Sequence, residues 1–423
     1  MRSTNKNKLK ILIPNATSPR NIGDQAMLFV LLKLLKKSIP YTDLTIHSTD
    51  PYLYRKRKMG TIKHTLYSWS VLNTSQFHIR IVRVIQLLSV LTALRLGIKI
   101  NIIPIQRQLE KLLEDYKKAD LLIFAPGGYL RSQRGITQTL NLLMILSMFF
   151  LAKILHKKTI IAPISFGPFA YKWQEKLSAK LINGFSLVAA REKISYKIMS
   201  SYRIKNLIYS SDMALLINGK KKDINHKKKF ILGFTFRNWF DDTNQVILER
   251  KFIDAIKKFS AKSDIIVKPL IQVNAPTYGD YDSQITKNIY SKLLNKGVHM
   301  LPYEGSENVF SMMKQYAKLD ALLGMRMHSN ILAAVSGVPF VALAYEHKTS
   351  GITRQLGMSR YCLSVKDLES EKIFKLLIEV KKKNDSLRKH LLSKVNEIKK
   401  RELPRWSTIF KSFVSLEGSK FTF

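Results

Sequence analysis

Residues 320–345 read DALLGMRMHSNILAAVSGVPFVALAY. Residues 320–323, apolar after Asp320, have the length of a buried strand. Gly324 breaks it, and a helical stretch over 330–336 follows a short turn. Gly337 and Pro339 are stop signals: glycine accepts the left-handed end of a helix, and proline cannot continue one. Residues 340–345 are again strand-like. Strand, turn, helix, turn, strand makes a βαβ unit, whose two strands run parallel.

The same alternation spreads outward in both directions. Strands are expected at 9–14, 120–124, 159–165, 187–190, 230–236 and 264–271. Helices are expected at 25–37, from 136, from 193, at 246–259 and at 282–295. Regular alternation of this kind builds an α/β fold with a doubly wound parallel sheet. Residues 218–229, NGKKKDINHKKK, interrupt the pattern with almost no apolar side chains. They read as a boundary. The expected organisation is an N-terminal α/β domain over 1–220, a basic linker over 221–229, and a C-terminal α/β domain over 230–423 that ends in lysine-rich helices. Two Rossmann-like sheets of this kind are expected to face each other across a cleft.

Composition narrows the function. Hydrophobic residues are 46% and charged residues 24% of 423, enough apolar mass for two cores. Cys362 is the single cysteine, so neither an internal disulfide nor a cysteine zinc site is available. The formal net charge of +41 suits an anionic partner: nucleic acid, anionic lipid or an acidic small substrate. Lysine inflation on solvated faces is the competing explanation. The first ten residues are polar and basic with no secretory pattern, so a cytoplasmic location is expected. Residues 140–155 are almost wholly apolar but short of a membrane span, and a buried core helix is expected there. Residues 79–98 are apolar but interrupted by Arg80, Arg83 and Arg95. Packing on the protein and lying flat on an anionic bilayer both fit that segment.

Ligands of open α/β sheets bind outside the carboxyl ends of the strands, so the turns after strands carry the chemistry. After 320–323 come Arg326 and His328, beside a helix N-terminus whose amides and dipole attract anions. Arginine adds bidentate recognition of carboxylate or phosphate. After 340–345 comes Lys348, which parallel pairing would bring to the same edge. Arg237 and Arg191 each follow a strand and either bind an anion or pair at the surface. Asn21 and Asp24 flank Gly23 ahead of a helix; they either cap it or bind acceptor hydroxyls. Gly127 and Gly128 admit a close ligand or make a tight turn. Phosphate-loop, dinucleotide, HExxH and GxSxG motifs are absent, and no nucleic-acid-binding signature stands out.

Taken in order, NIGDQA (21–26), PGGYL (126–130), SFGPF (165–169), AREKIS (190–195), SDMA (211–214), GFTFR (233–237), GMRMH (324–328) and GVPFVALAYEHK (337–348) make the chain similar to the polysaccharide pyruvyl transferase family. The sequence departs from that pattern at Pro126, where a further glycine is usual, and at Met213, where proline commonly follows the aspartate. The resemblance implies a glycosyltransferase B-like fold, phosphoenolpyruvate as donor and a sugar or lipid-linked oligosaccharide as acceptor. The implied product is a pyruvate ketal in exopolysaccharide or cell-wall glycan. It also implies donor binding by Arg326 and general acid catalysis by His328, with Arg237 and Lys348 as further anion contacts. Asp24 is a candidate for handling the acceptor hydroxyl.

No metal or other cofactor is expected, since the cations themselves neutralise the phosphate; phosphoenolpyruvate enters as co-substrate. Nucleic acid is not an expected partner, while an anionic membrane surface is, at the inner face of the plasma membrane. Two other functions share these features: a nucleotide-sugar-dependent glycosyltransferase, and a basic, non-catalytic scaffold on the membrane surface.

Overall fold

The computed structural model describes residues 8–55, 60–72, 77–98, 107–219, 229–239, 242–275, 280–306 and 308–415. Apart from Lys229, the expected linker lies outside them. The chain forms two compact units, each built on its own parallel sheet.

The first unit comprises residues 1–18, 31–211 and 404–423. Its strands are β1 (Leu9–Ala16), β2 (Thr42–Ser48), β3 (Thr61–His64), β4 (Leu121–Phe124), β5 (Gly127–Leu130), β6 (Lys158–Phe166), β7 (Leu187–Ala190) and β8 (Leu207–Tyr209). They run in the order β3-β2-β1-β4-β6-β7-β8, all parallel, with β5 paired to β6. The expected apolar helix is present at Ile136–Ile154, long and apolar enough by composition to cross a membrane. Its second half is packed in the core, where Phe149 stacks on Phe124 at 4.1 Å and lies 6.0 Å from Phe185. That is the behaviour of a core helix. Ile136 and Leu140, in its first turns, stay exposed.

The second unit comprises residues 19–30 and 212–403. Its main strands are β9 (Phe230–Thr235), β10 (Ile265–Ile271), β13 (Glu304–Gly305), β14 (Ala321–Gly324), β15 (Phe340–Ala344) and β16 (Cys362–Ser364). A separate hairpin joins β11 (Asn274–Ala275) to β12 (Asp280–Tyr281). The sheet order is β13-β10-β9-β14-β15-β16, again all parallel. The chain winds outward from β9 through β10 to β13, then restarts on the other side with β14, β15 and β16. The winding reverses between β9 and β14, and such a switch point opens a crevice at the carboxyl ends of the two strands.

This division departs from continuous ranges ending at 220 and starting at 230. Residues 19–30 belong by contact to the second unit, and residues 404–423 to the first. The last transition falls at Pro404, inside the long helix Asn384–Ser415. Proline there lacks the N–H for the i−4 bond and weakens the helix at that turn.

Candidate active site

Three neighbouring strands of the second unit deliver the expected residues. Gly324 of β14 aligns with Thr235 of β9 and with Ala342 of β15, so the segments after these strands emerge side by side. Beyond β9 stands Arg237; beyond β14 stand Arg326 and His328; beyond β15 stand Tyr345 and Lys348.

The helix after β14 begins at Met327, three residues ahead of the sequence expectation. Eight of its nine residues are buried, and His328 is the exception. No side chain caps it, and the same holds for the helix His347–Gln355 after β15. Two helix heads with unspent amides thus stand at adjacent strand ends, each carrying a basic residue, His328 or Lys348, at its second position. Both the amides and the dipoles there attract negative charge.

His328 is held from two sides. Its Nε2 lies 3.6 Å from Oδ2 of the fully buried Asp212, a contact too long for a hydrogen bond, and that ring nitrogen makes no hydrogen bond within the protein. The other oxygen of Asp212 accepts the Ala214 amide at 2.9 Å, which fixes the carboxylate. On the opposite side is Gly23. A methyl group at Gly23 would fall 2.0 Å from Nδ1 and 2.5 Å from Cβ of His328. The glycine is required by this close approach, not by its backbone angles.

NIGDQA belongs to this site for a concrete reason. Ile22 donates to the Gln272 carbonyl and Asn274 to the Arg20 carbonyl, bridging the segment to the loop after β10. Gln25, buried, donates to the Pro19 carbonyl and accepts the Val309 amide at 2.7 Å. Asn21 caps the helix: its Oδ1 accepts the amides of Gly23 and Asp24 at 3.1 and 3.4 Å. Asp24 lies in the first helical turn, half-buried, one residue from the glycine that backs the imidazole.

Arg326 is buried and paired with Asp282, its Nε donating at 3.1 and 3.2 Å to the two carboxylate oxygens. Asp282 is itself fully buried and also accepts the Val273 amide at 3.1 Å. Lys348 is similarly engaged, 2.6 Å from the buried Glu346. These two cations are therefore each set against a carboxylate, and their positions are fixed by it. Arg237 lies over the rings of Trp239 and Tyr345, at 5.4 and 5.0 Å, and donates to the Tyr345 hydroxyl at 3.2 Å. Burial by itself pushes the Tyr345 phenol up. The positive Lys348, Arg237 and Arg326 nevertheless hold it below its ordinary value of 10.0, against the opposing Glu346. Three cations from three strand ends thus act on one hydroxyl.

Sequence reasoning passed over Asp212, Asp282 and Tyr345. Asp212 stood in the SDMA stretch and Tyr345 directly before Glu346, but nothing local marks their long-range partners. In the first unit, Gly127 and Gly128 form β5 instead of an open turn. A methyl at Gly128 would meet the Arg191 guanidinium at 3.0 Å, so the space there serves a side chain. Arg191 is not a surface residue: it is buried, donates to Ser165 Oγ at 2.7 Å and lies 3.6 Å from the buried Glu192.

Solved structures of similar fold include a Listeria monocytogenes protein provisionally assigned as a UDP-N-acetylglucosamine 2-epimerase (TM-score 0.60, 11% identity, 96% of this chain and 97% of that one). They also include Anabaena Alr3699/HepE, solved in complex with UDP (0.55, 12%, 97% and 100%), and a Neisseria meningitidis UDP-GlcNAc 2-epimerase bound to UDP-GlcNAc (0.53, 11%, 96% and 100%). At these identities the likeness is one of fold, the glycosyltransferase B-like pair of parallel-sheet domains. The family signature "Polysaccharide pyruvyl transferase" matches residues 21–347, from the capping Asn21 to the start of the Lys348 helix. With most of the chain matched, from ahead of the glycine behind the imidazole to the helix head just before Lys348, this protein belongs to the polysaccharide pyruvyl transferase family and is a transferase of polysaccharide pyruvylation.

Proposed function

We propose that the protein moves the enolpyruvyl unit of phosphoenolpyruvate onto two hydroxyls of a sugar, forming a pyruvate ketal. The observation that carries this reading is the pair of uncapped helix heads, one holding His328 and the other Lys348, beside Arg237 and Tyr345. Phosphoenolpyruvate bears a phosphate and a carboxylate, and its pocket must meet both. The helix amides, Arg237 and Lys348 supply donors for them; the ammonium of Lys348 has three N–H groups and keeps Glu346 while binding an anion. Arg326, tied to Asp282, adds a fixed positive field and positions the turn that presents His328.

The reaction balances without a further reagent. Protonated His328 gives its proton to the methylene carbon, which becomes a methyl group and leaves C2 electrophilic. One sugar hydroxyl bonds to C2 and loses its proton to a base, the role assigned to Asp24. The bond from C2 to the phosphate oxygen breaks, the second hydroxyl closes the ring, and its proton leaves with inorganic phosphate. Asp212 keeps the imidazole oriented and faces the positive charge the ring carries when protonated.

The test is His328→Ala. Calorimetric binding of phosphoenolpyruvate is expected to persist, while phosphate release in the presence of sugar or lipid-linked oligosaccharide acceptors is lost. Near-wild-type turnover would remove His328 from the chemistry. Thermal stabilisation by a nucleoside diphosphate, with none by phosphoenolpyruvate, would replace the reading with nucleotide-sugar transfer.

A further inference from the structure

The helix Phe77–Arg95 of the first unit is apolar on two sides. Leu87, Val90 and Leu91 enter the core. On another face Ile81, Ile85 and Leu88 are exposed by 45, 56 and 57%. Their spacing of four and three residues, continued by Thr92 and Arg95, puts all five on one strip of the helix. A helix on a protein surface ordinarily turns polar residues outward, and an outward apolar strip marks something it contacts.

The strip ends at a cavity. Arg95, with Phe150, Lys153, His156, Lys180 and Leu181, lines a space of roughly 350 Å³. The volume lies at the low end of those that hold small ligands. Its chemistry is one-sided: a guanidinium, two lysine amines and an imidazole over an apolar floor. Among the described residues none of these four basic groups has a carboxylate partner, although ion pairs hold many other lysines of the chain. Burial, and then the positive Lys180 alongside, push the Lys153 ammonium down. An anion in the cavity would relieve both the repulsion and the missing counter-charge.

We propose that this surface seats on an anionic lipid bilayer, with Ile81, Ile85 and Leu88 in the acyl boundary and a headgroup phosphate in the cavity among Arg95, Lys153, His156 and Lys180. Charge complementarity selects this occupant. An apolar strip alone would suit any hydrophobic partner, but a strip that runs into a basic cavity, where Lys153 meets the Lys180 carbonyl and the Phe185 ring but, among the described residues, no carboxylate, matches a layer with acyl chains beneath phosphates. The proposal is independent of the reaction assigned to the second unit.

The experiment is sedimentation of the full chain with phosphatidylcholine vesicles, with and without phosphatidylglycerol. Binding is expected only when phosphatidylglycerol is present. Ile85→Ser with Leu88→Ser, and separately Lys153→Gln with Lys180→Gln, are each expected to weaken it about tenfold or more. Removing two exposed lysines of the second unit, Lys296→Gln with Lys318→Gln, controls for the net charge and is expected to change binding less than twofold. All substituted side chains are exposed or partly so, and matched thermal midpoints verify folding. A fluorophore on Ser89→Cys, in a Cys362→Ser background, is expected to shift to the blue on binding. No binding to phosphatidylglycerol vesicles, equal loss in the control, or an unshifted fluorophore would each overturn the proposal.

Discussion

Replacing Gly23 by alanine tests the packing that holds the imidazole. Alanine is the better helix former, by up to about 1 kcal/mol, so local propensity favours the change. Packing opposes it. The new methyl would lie 2.0 Å from Nδ1, and ordinary contact begins at 3.4 Å, so the ring must give about 1.4 Å. Rotation of the ring does not suffice, because Cβ of His328 is itself 2.5 Å away. The head of the His328 helix must shift. Overpacking of this kind costs about 1–3 kcal/mol, which exceeds the propensity gain. In a unit of this size the thermal midpoint is expected to fall by about 2–6 °C. A displacement near 1 Å at a reacting group costs on the order of 100-fold in turnover. Phosphate release from phosphoenolpyruvate should therefore fall by about that factor. The decisive assay is the double-mutant cycle with His328→Gly, which removes ring and Cβ together. In that background Gly23→Ala is expected to raise the midpoint, because only the propensity term remains. A midpoint that falls equally in both backgrounds, or a fully active Gly23→Ala enzyme, would refute the assignment of Gly23 to the imidazole.

Three further outcomes are expected. Asp212→Asn keeps the Ala214 hydrogen bond but loses the charge beside His328, so turnover should drop about 100-fold or more with the thermal midpoint little changed; unchanged turnover would separate Asp212 from the reaction. Asp282→Ala strands the buried Arg326 and should cost about 3–5 kcal/mol in denaturant unfolding, partly recovered by adding Arg326→Met; an unaffected single variant would show that the pair is not buried in solution. In the first unit, burial holds the His47 imidazole below its ordinary 6.5, against the raising influence of its hydrogen bond to Asp115. The unfolded chain then takes up the proton first as pH falls. This contribution to stability is full above about pH 6.5 and is lost on acidification towards the folded-state value. A thermal midpoint that rises between pH 7 and 5, with no change of slope in His47→Phe, would contradict that assignment.

What the amino-acid sequence determined by itself is whatever follows from short-range pattern. Apolar runs of strand length, glycines after them and helical periodicity define the βαβ units, and parallel pairing then carries Arg237, Arg326, His328 and Lys348 to one sheet edge. Strands that are only three or four residues long, β3, β8 and β16, or mostly polar, β2, lacked such a signal, because neighbouring strands create the environment that makes them strands. β5 was concealed by its two glycines, which read as a turn until Arg191 is seen filling the space beside them. Only the tertiary structure decided the electrostatics of the site. Whether Arg326 faces solvent or Asp282 depends on a partner 44 positions away, and Asp212 reaches His328 across a longer stretch of chain. It also decided that residues 19–30 belong with the second unit, through two backbone bridges and one absent side chain. Local pattern sets which backbone state a segment prefers. Burial and charge pairing depend on distances between segments far apart in the chain, which only the folded packing brings into contact.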